Sequence, residues 1–237
     1  MVIKKGTVMD IFKKTLCSIF LVSGMLVAKE YTPTGNPENT HETLRQKQKL
    51  FKSVGCNYCN TMEIHCPALE EIKPHQTQYY KADAKNIDAL SKKYEKDVVA
   101  KKLAPMYLKW ISPEIGYGVF ATTDIAAGDF IGVYAGQLRP VRAMNDKNPE
   151  DTDYAWYYTV DSPDGKKLII DGKYRGNELR FINHDSNPNT KRIDIIVGDR
   201  FYVCYVAQQN ISKNTQLTVD YGHGYWTTRN VKPNAVS

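Results

Sequence analysis

Along the chain the spacing of apolar residues changes character three times. Residues 15–28 (TLCSIFLVSGMLVA) form an unbroken, largely apolar run behind Lys4, Lys5, Lys13 and Lys14. From Ala82 to Leu103, Ile87, Leu90, Tyr94 and Val98 recur at three- and four-residue spacing, which predicts an amphipathic helix with a lysine-rich outer face. A shorter helix is predicted over LRQKQKLFKSV, with its N-cap among residues 40–43. After Pro105 the pattern becomes short runs of β-branched and aromatic residues: YLKWISP, GYGVFATT, DFIGVYAGQL, YAWYYTV, KKLIIDG, IDIIVGD, RFYVCYVA and QLTVDYG. Each is bounded by Gly, Pro, Asp or Asn, so the second half is read as mainly β. No such run feeds a Gly-x-Gly-x-x-Gly helix start, which excludes a doubly wound dinucleotide fold.

Composition narrows this further. With 237 residues, 42% hydrophobic and 24% charged, the chain buries an ordinary core and is neither collagen-like nor a coiled coil. Sixteen Tyr against seven Phe favour strands and polar pockets that need a ring ending in a hydroxyl. The net charge of +6 sits at the front: residues 1–105 hold 17 Lys/Arg and 11 Asp/Glu, residues 106–226 hold 13 and 15, and residues 227–237 add two positive charges. A nucleic-acid binder concentrates positive charge on its working domain. Direct nucleic-acid binding is therefore not expected, whereas a mildly acidic domain suits a basic, lysine-containing peptide.

The apolar run behind four lysines has the layout of a secretory signal or signal-anchor over residues 1–28, with a buried helix as the alternative. It is short for a permanent span, which needs ~20 residues, so any membrane contact through residues 15–28 is transient. Leu26 stands where a cleavage site prefers a small residue. Residues 29–40 read as a linker at the start of a helical, cysteine-containing region over 29–105. There Cys56, Cys59 and Cys66, with His65 and His75 nearby, are compatible with a zinc site, a disulfide plus a spare thiol, or free thiols. Spacing identifies no fourth ligand, and no metal site is assigned. Cys204 reads as core.

Taken singly, Gly116-Tyr117-Gly118, the turn-rich stretch Asn183-His184-Asp185-Ser186-Asn187-Pro188-Asn189 and Asp220-Tyr221-Gly222 are ordinary turns or strand ends. Their order is not ordinary. GYGVFAT, then DIAAGDFIGVYAG, then DGKYRGNELRFINHDSNPN, then QLTVDYG with Tyr225-Trp226, resembles the SET domain of protein lysine methyltransferases over residues 106–226. The resemblance implies small curved sheets around a knot-like core, S-adenosyl-L-methionine as methyl donor and a lysine ε-amine as acceptor. It implies that Gly116, Tyr117 and Gly118 contact the donor through backbone, and that Tyr154 faces the donor and the transfer channel. Arg180, Asn183 and His184 match the Arg-Phe-x-Asn-His donor motif. Tyr221 matches the tyrosine beside the transferring methyl, and Trp226 an aromatic that covers adenine; Tyr221 and Tyr154 are the expected catalytic pair.

This sequence also departs from the family. Asp185 and Ser186 stand where Ser-Cys is usual, Gln216 replaces a common Glu, and TTRNVKPNAVS brings no cysteine-rich segment after Trp226. Val219 occupies a place where Phe or Tyr often sits, which leans towards di- or trimethylation. Two functions follow as expectations: a protein-lysine methyltransferase, with histone-like substrates, or an inactive SET-fold peptide-binding module, secreted or membrane-tethered. The signal-like segment favours an exported protein that acts in a host cell, with a cytoplasmic protein as the alternative.

Overall fold

A computed structural model describes residues 40–65, 69–141 and 153–229. The signal-like segment, Cys66 and most of the C-terminal tail lie outside these residues. Both predicted helices are present. Helix α1 (Leu44–Ser53) is capped by Thr43, whose hydroxyl accepts from the Gln46 N–H while the Gln46 side chain accepts from the Thr43 N–H. This reciprocal capping box satisfies two donors that the first turn would leave bare. Helix α2 (Gln78–Val99) starts four residues earlier than the spacing predicts, because Thr77 caps it by accepting from Tyr80 N–H. Asp83 is non-helical (φ −143°, ψ 34°), which is why the periodicity becomes readable only beyond it.

The N-terminal region is not helical throughout. Strand β1 (Thr40–His41) pairs with β4 (Met106–Ser112), which pairs with β5 (Gly116–Ala121). Strand β2 (Asn57–Tyr58) and strand β3 (Met62–Ile64) also leave the N-terminal region to join later strands. β3 runs parallel to β7 (Gly136–Pro140), and that sheet continues through β9 (Leu168–Asp171) to β8 (Ala155–Tyr157). β2 pairs in parallel with β10 (Arg175–Gly176). A further three-stranded sheet joins β6 (Phe130–Val133), β13 (Arg200–Ala207) and β12 (Thr190–Val197). The single run DFIGVYAGQL thus splits into β6 and β7, with Tyr134 and Ala135 between them.

The main core gathers residues from both halves, including Phe51 of α1, Leu108 and Val119 of the first sheet, Ile170 of β9, and Leu179 and Ile182. A second cluster lies beneath α2, where Tyr94 and Val98 meet Phe130, Val133, Ile195 and Cys204. Burying each such side chain contributes about 1.5–3 kcal/mol. The lysines of α2 face outward, as the periodicity predicts. No helix among the described residues is long and apolar enough to cross a membrane.

Candidate functional site

The site is made by a crossing. Strand β11 (Asn183–His184) lies parallel to β14 (Thr218–Val219), with Asn183 opposite Thr218 and His184 opposite Val219. Segments some 35 residues apart in sequence are therefore side by side. Asn189 and Thr190 lock the crossing. Asn189 Nδ2 donates to Gln216 O at 2.7 Å, Thr218 N–H donates to Asn189 Oδ1 at 2.9 Å, and Thr190 Oγ1 donates to Thr218 O at 2.7 Å. Two of these bonds satisfy the Thr218 N–H and C=O, and Asp185 N–H donates to Val219 O at 3.1 Å, so these buried backbone groups of β14 have partners.

At the exit of β14 the chain turns over His184. Tyr221 N–H donates to His184 Nδ1 at 3.2 Å, which places the neutral imidazole's proton on Nε2. The Asp220 carboxylate lies 3.5 Å from the same Nδ1 but is mostly exposed and accepts from Gly222 N–H at 2.8 Å, so it holds the turn. Tyr221 Oη donates to Ile182 O at 2.9 Å, fixing its hydroxyl beside the start of β11. Helix α3 (His223–Arg229) then lays Trp226 against His184, ring centroids 4.8 Å apart, and near-parallel to Tyr221 at 6.2 Å. Tyr225 closes on Tyr221 at 4.6 Å.

The glycine motif approaches from β5. Gly116 has φ +80°, a left-handed conformation that a side chain would strain. Asn183 Nδ2 donates to Tyr117 O at 3.2 Å, tying this strand to β11. The structure thus gathers Tyr117, Asn183, His184, Tyr221 and Trp226 through direct contacts.

Tyr154 and Arg180 form an adjoining wall. Tyr154 is a non-glycine residue at φ +60°. Its carbonyl accepts from Gly172 N–H at 2.8 Å and from the Tyr134 hydroxyl at 2.5 Å. The Arg180 guanidinium lies 3.8 Å from the Tyr154 ring centre, and donates from Nε to Gly172 O at 2.8 Å and from Nη2 to Lys173 O at 3.3 Å. Arg180 is buried and spends these donors on backbone, so in this structure it braces Tyr154. Phe181 links the two groups, 5.8 Å from Tyr117 and 6.4 Å from Tyr154.

Several residues of this neighbourhood escape a sequence reading. Tyr134 sits inside the predicted strand run, yet its hydroxyl fixes Tyr154. Trp156 Nε1 donates to the Tyr205 hydroxyl, joining β8 to β13. Glu178, only 1% exposed, accepts from Lys47 Nζ at 2.8 Å and from the Tyr58 hydroxyl at 3.1 Å. The Tyr134-x-Gly136 motif was the only available signal for the first; partners over 40 residues apart leave none for the others. Burial pushes the hydroxyls of Tyr134, Tyr154 and Tyr205 above the usual tyrosine range, so these walls carry neutral phenols.

Cys56 and Cys59 are free thiols in this structure, with no bridge between them. Among the described residues no group of three or more His, Cys, Asp or Glu is arranged to hold a metal ion. His65 contacts Glu63, and the exposed His75 packs against Tyr80.

Two buried ring nitrogens of the site, His184 Nε2 and Trp226 Nε1, have no hydrogen-bond partner among the described residues. Unsatisfied buried donors are rare in folded chains and call for an acceptor. A purine-bearing donor with ring nitrogens and a flat face suits them, so the residues present fit the donor implied by the motifs.

Residues 116–222 match the SET domain family, and this part of the chain is a SET domain. The histone-lysine N-methyltransferase EHMT1 of Mus musculus is 30% identical over 120 residues, covering 49% of this chain and 9% of the relative. ASHH3 of Arabidopsis thaliana, a histone-lysine N-methyltransferase, is 30% identical over 113 residues, 45% of this chain and 29% of the relative. SETD1B of Homo sapiens, of the same description, is 36% identical over 109 residues, 44% of this chain and 5% of the relative. The chain thus spans under a third of the length of these curated relatives. A crystal structure of ATXR5 in complex with a methylated histone H3.1 shares the fold, with a TM-score of 0.56 at 20% identity, over 79% of this chain and 94% of that one.

Proposed function

We propose that this SET domain transfers a methyl group from S-adenosyl-L-methionine to the ε-amine of a lysine in a protein substrate, with histone or histone-like chains as the substrate class. The observation that carries the reading is the crossing of β11 and β14, which puts Asn183, His184, Tyr221 and Trp226 around one spot. When bound, the donor supplies an electrophilic methyl carbon on a sulfonium. Gly116, Tyr117, Gly118, Asn183 and His184 hold it, Trp226 covers its purine, and Arg180 contributes by bracing Tyr154.

The chain's own residues then have two tasks. The first is alignment: Tyr221, pinned by Ile182 O, presents a fixed hydroxyl oxygen to the incoming amine. Pre-alignment of this kind contributes up to ~7–11 kcal/mol in favourable intramolecular reactions. The second is delivering a neutral amine from a lysine whose pKa in water is ~10.4. Neutral, buried rings at Tyr134, Tyr154 and Tyr205 offer no counter-ion, so desolvation disfavours the ammonium form. Tyr154, with its ring facing Arg180 and Phe181, is assigned in this reading to the wall of the transfer channel.

Calorimetry of S-adenosylmethionine with the wild-type chain, Asn183→Ala and Tyr221→Phe tests the reading. Micromolar binding, weakened by Asn183→Ala and largely kept by Tyr221→Phe, supports it, and methyl transfer to lysine peptides should follow. A well-folded chain that does not bind the donor would instead be a SET-fold peptide-recognition module. We further propose that residues 1–28 direct export and that the enzyme acts in a host cell. Fractionation that finds the protein only in its own cell's cytosol would overturn that.

A further inference from the structure

Cys56 and Cys59 flank the two residues of β2, and that strand's geometry limits what they can do. Asn57 N–H donates to Tyr174 O at 2.8 Å and Cys59 N–H to Gly176 O at 2.9 Å, with Asn57 opposite Arg175 and Tyr58 opposite Gly176. Amides two apart that bond carbonyls two apart on a parallel neighbour need an extended backbone. At ~3.3 Å per residue, the two cysteine Cα atoms are then ~10 Å apart. A disulfide needs about 4.4–6.8 Å. The bridge and the paired strand therefore exclude one another.

The stretch that β2 pairs with is the floor of the Tyr154 wall. Gly172 O accepts from Arg180 Nε at 2.8 Å and lies 3.8 Å from Cys56 Sγ. Gly172 N–H holds Tyr154 O, and Lys173 O holds the other end of the guanidinium. This stretch is tightly packed against its neighbours. A Cβ on Gly172 would stand 2.9 Å from Tyr154 O, and one on Gly176 3.1 Å from Gly172 O.

We infer that Cys56 and Cys59 form a redox latch on the donor site. As thiols they leave β2 paired and the Arg180–Tyr154 wall assembled. As a disulfide they unpair β2 from β10 and release Gly172–Gly176, which disables donor binding. The inference rests on the donor-site reading above.

The oxidant is a low-molecular-weight disulfide such as oxidised glutathione. Cys59, the half-buried thiol, enters first: its thiolate attacks one glutathione sulfur, the S–S bond breaks, and one glutathione thiolate leaves. The Cys56 thiolate then attacks the Cys59 sulfur of the mixed disulfide and expels the second glutathione thiolate. The two protons lost by the protein end on two glutathione molecules. The two cysteines are oxidised by two electrons, which reduce the glutathione disulfide. Burial holds both thiols in the protonated form, so the paired strand resists and the open chain reacts. Oxidising compartments would thus keep the site apart and a reducing cytosol would assemble it.

The full chain carrying Cys17→Ser and Cys66→Ser is refolded in reduced or oxidised glutathione. Mass spectrometry reads the Cys56–Cys59 link, hydrogen exchange reads the Asn57 and Cys59 amides, and calorimetry reads S-adenosylmethionine binding. The expected result is a disulfide in the oxidised sample, loss of protection at both amides, and donor affinity lower by about ten-fold or more. Dithiothreitol should restore all three, and adding Cys59→Ser should make the chain indifferent to oxidant. A disulfide with both amides still protected, unchanged donor binding in the oxidised form, or no disulfide after refolding in excess oxidised glutathione would overturn the latch. A reduced chain that protects both amides yet binds no donor would sink the methyltransferase reading instead.

Discussion

At Tyr221 one hydroxyl bridges structure and chemistry, since it donates to Ile182 O and faces the proposed acceptor amine. Tyr221→Phe should leave the donor dissociation constant within a few-fold and lower methyl transfer by ~10²-fold, the scale of a positioned polar group. Single-turnover transfer of a labelled methyl checks this. Asn183→Ala removes the bond to Tyr117 O and should weaken donor binding by about ten-fold, read by calorimetry. Val219 is 2% exposed and packs in the main core, so the smaller residue is part of a filled interior. Val219→Tyr should shift products towards monomethyl lysine, read by mass spectrometry as a product ratio, at a stability cost of about 1–3 kcal/mol from overpacking. An unchanged ratio would remove Val219 from the control of product state.

Between elements, the decisive contact is α1 against the short 3₁₀ turn Glu178–Phe181. The Glu178 carboxylate is buried, and Lys47 is its only cationic partner among the described residues. Lys47→Met should cost about 3 kcal/mol or more, because it strands a buried charge, whereas Lys47→Arg should keep most of the stability. Denaturant midpoints check both. Strand β2 carries a pH signature as well. Burial, with Glu63 second, pushes the Cys59 thiol from its ordinary 9.0 up to about 11. The unfolded chain gives up that proton first, so this contribution to stability is present below pH ~9 and is lost as pH rises through about 11. Cys59→Ser should flatten the fall of the denaturant midpoint across that window.

For the molecule as a whole, N- and C-terminal halves form one cooperative body, since β1, β2 and β3 each complete a sheet begun by later residues. A donor that binds only the assembled site must then stabilise the entire fold. S-adenosylmethionine at a hundred times its dissociation constant should add about 2.7 kcal/mol and raise the melting temperature, read by calorimetric scan with ATP as the comparison. A chain that melts unchanged in the presence of the donor would contradict the proposed function.

How much of this was legible in the sequence differs by kind of signal. Local periodicity and capping chemistry determined α1, the core face of α2 and most strands, because helix and strand patterns depend on neighbours a few residues away. The motifs around Gly116, Asn183 and Tyr221 likewise marked the SET domain. What periodicity could not show was β2 and β3, two- and three-residue strands whose pairing depends on backbone groups more than 70 residues downstream. Nor could it show that Arg180 braces Tyr154, that Glu178 is buried against Lys47, or that Cys56 lies under Gly172. Those facts come from the parallel pairings β2–β10 and β11–β14. Each closes a loop through space, so only the tertiary structure decides which distant residues share one site.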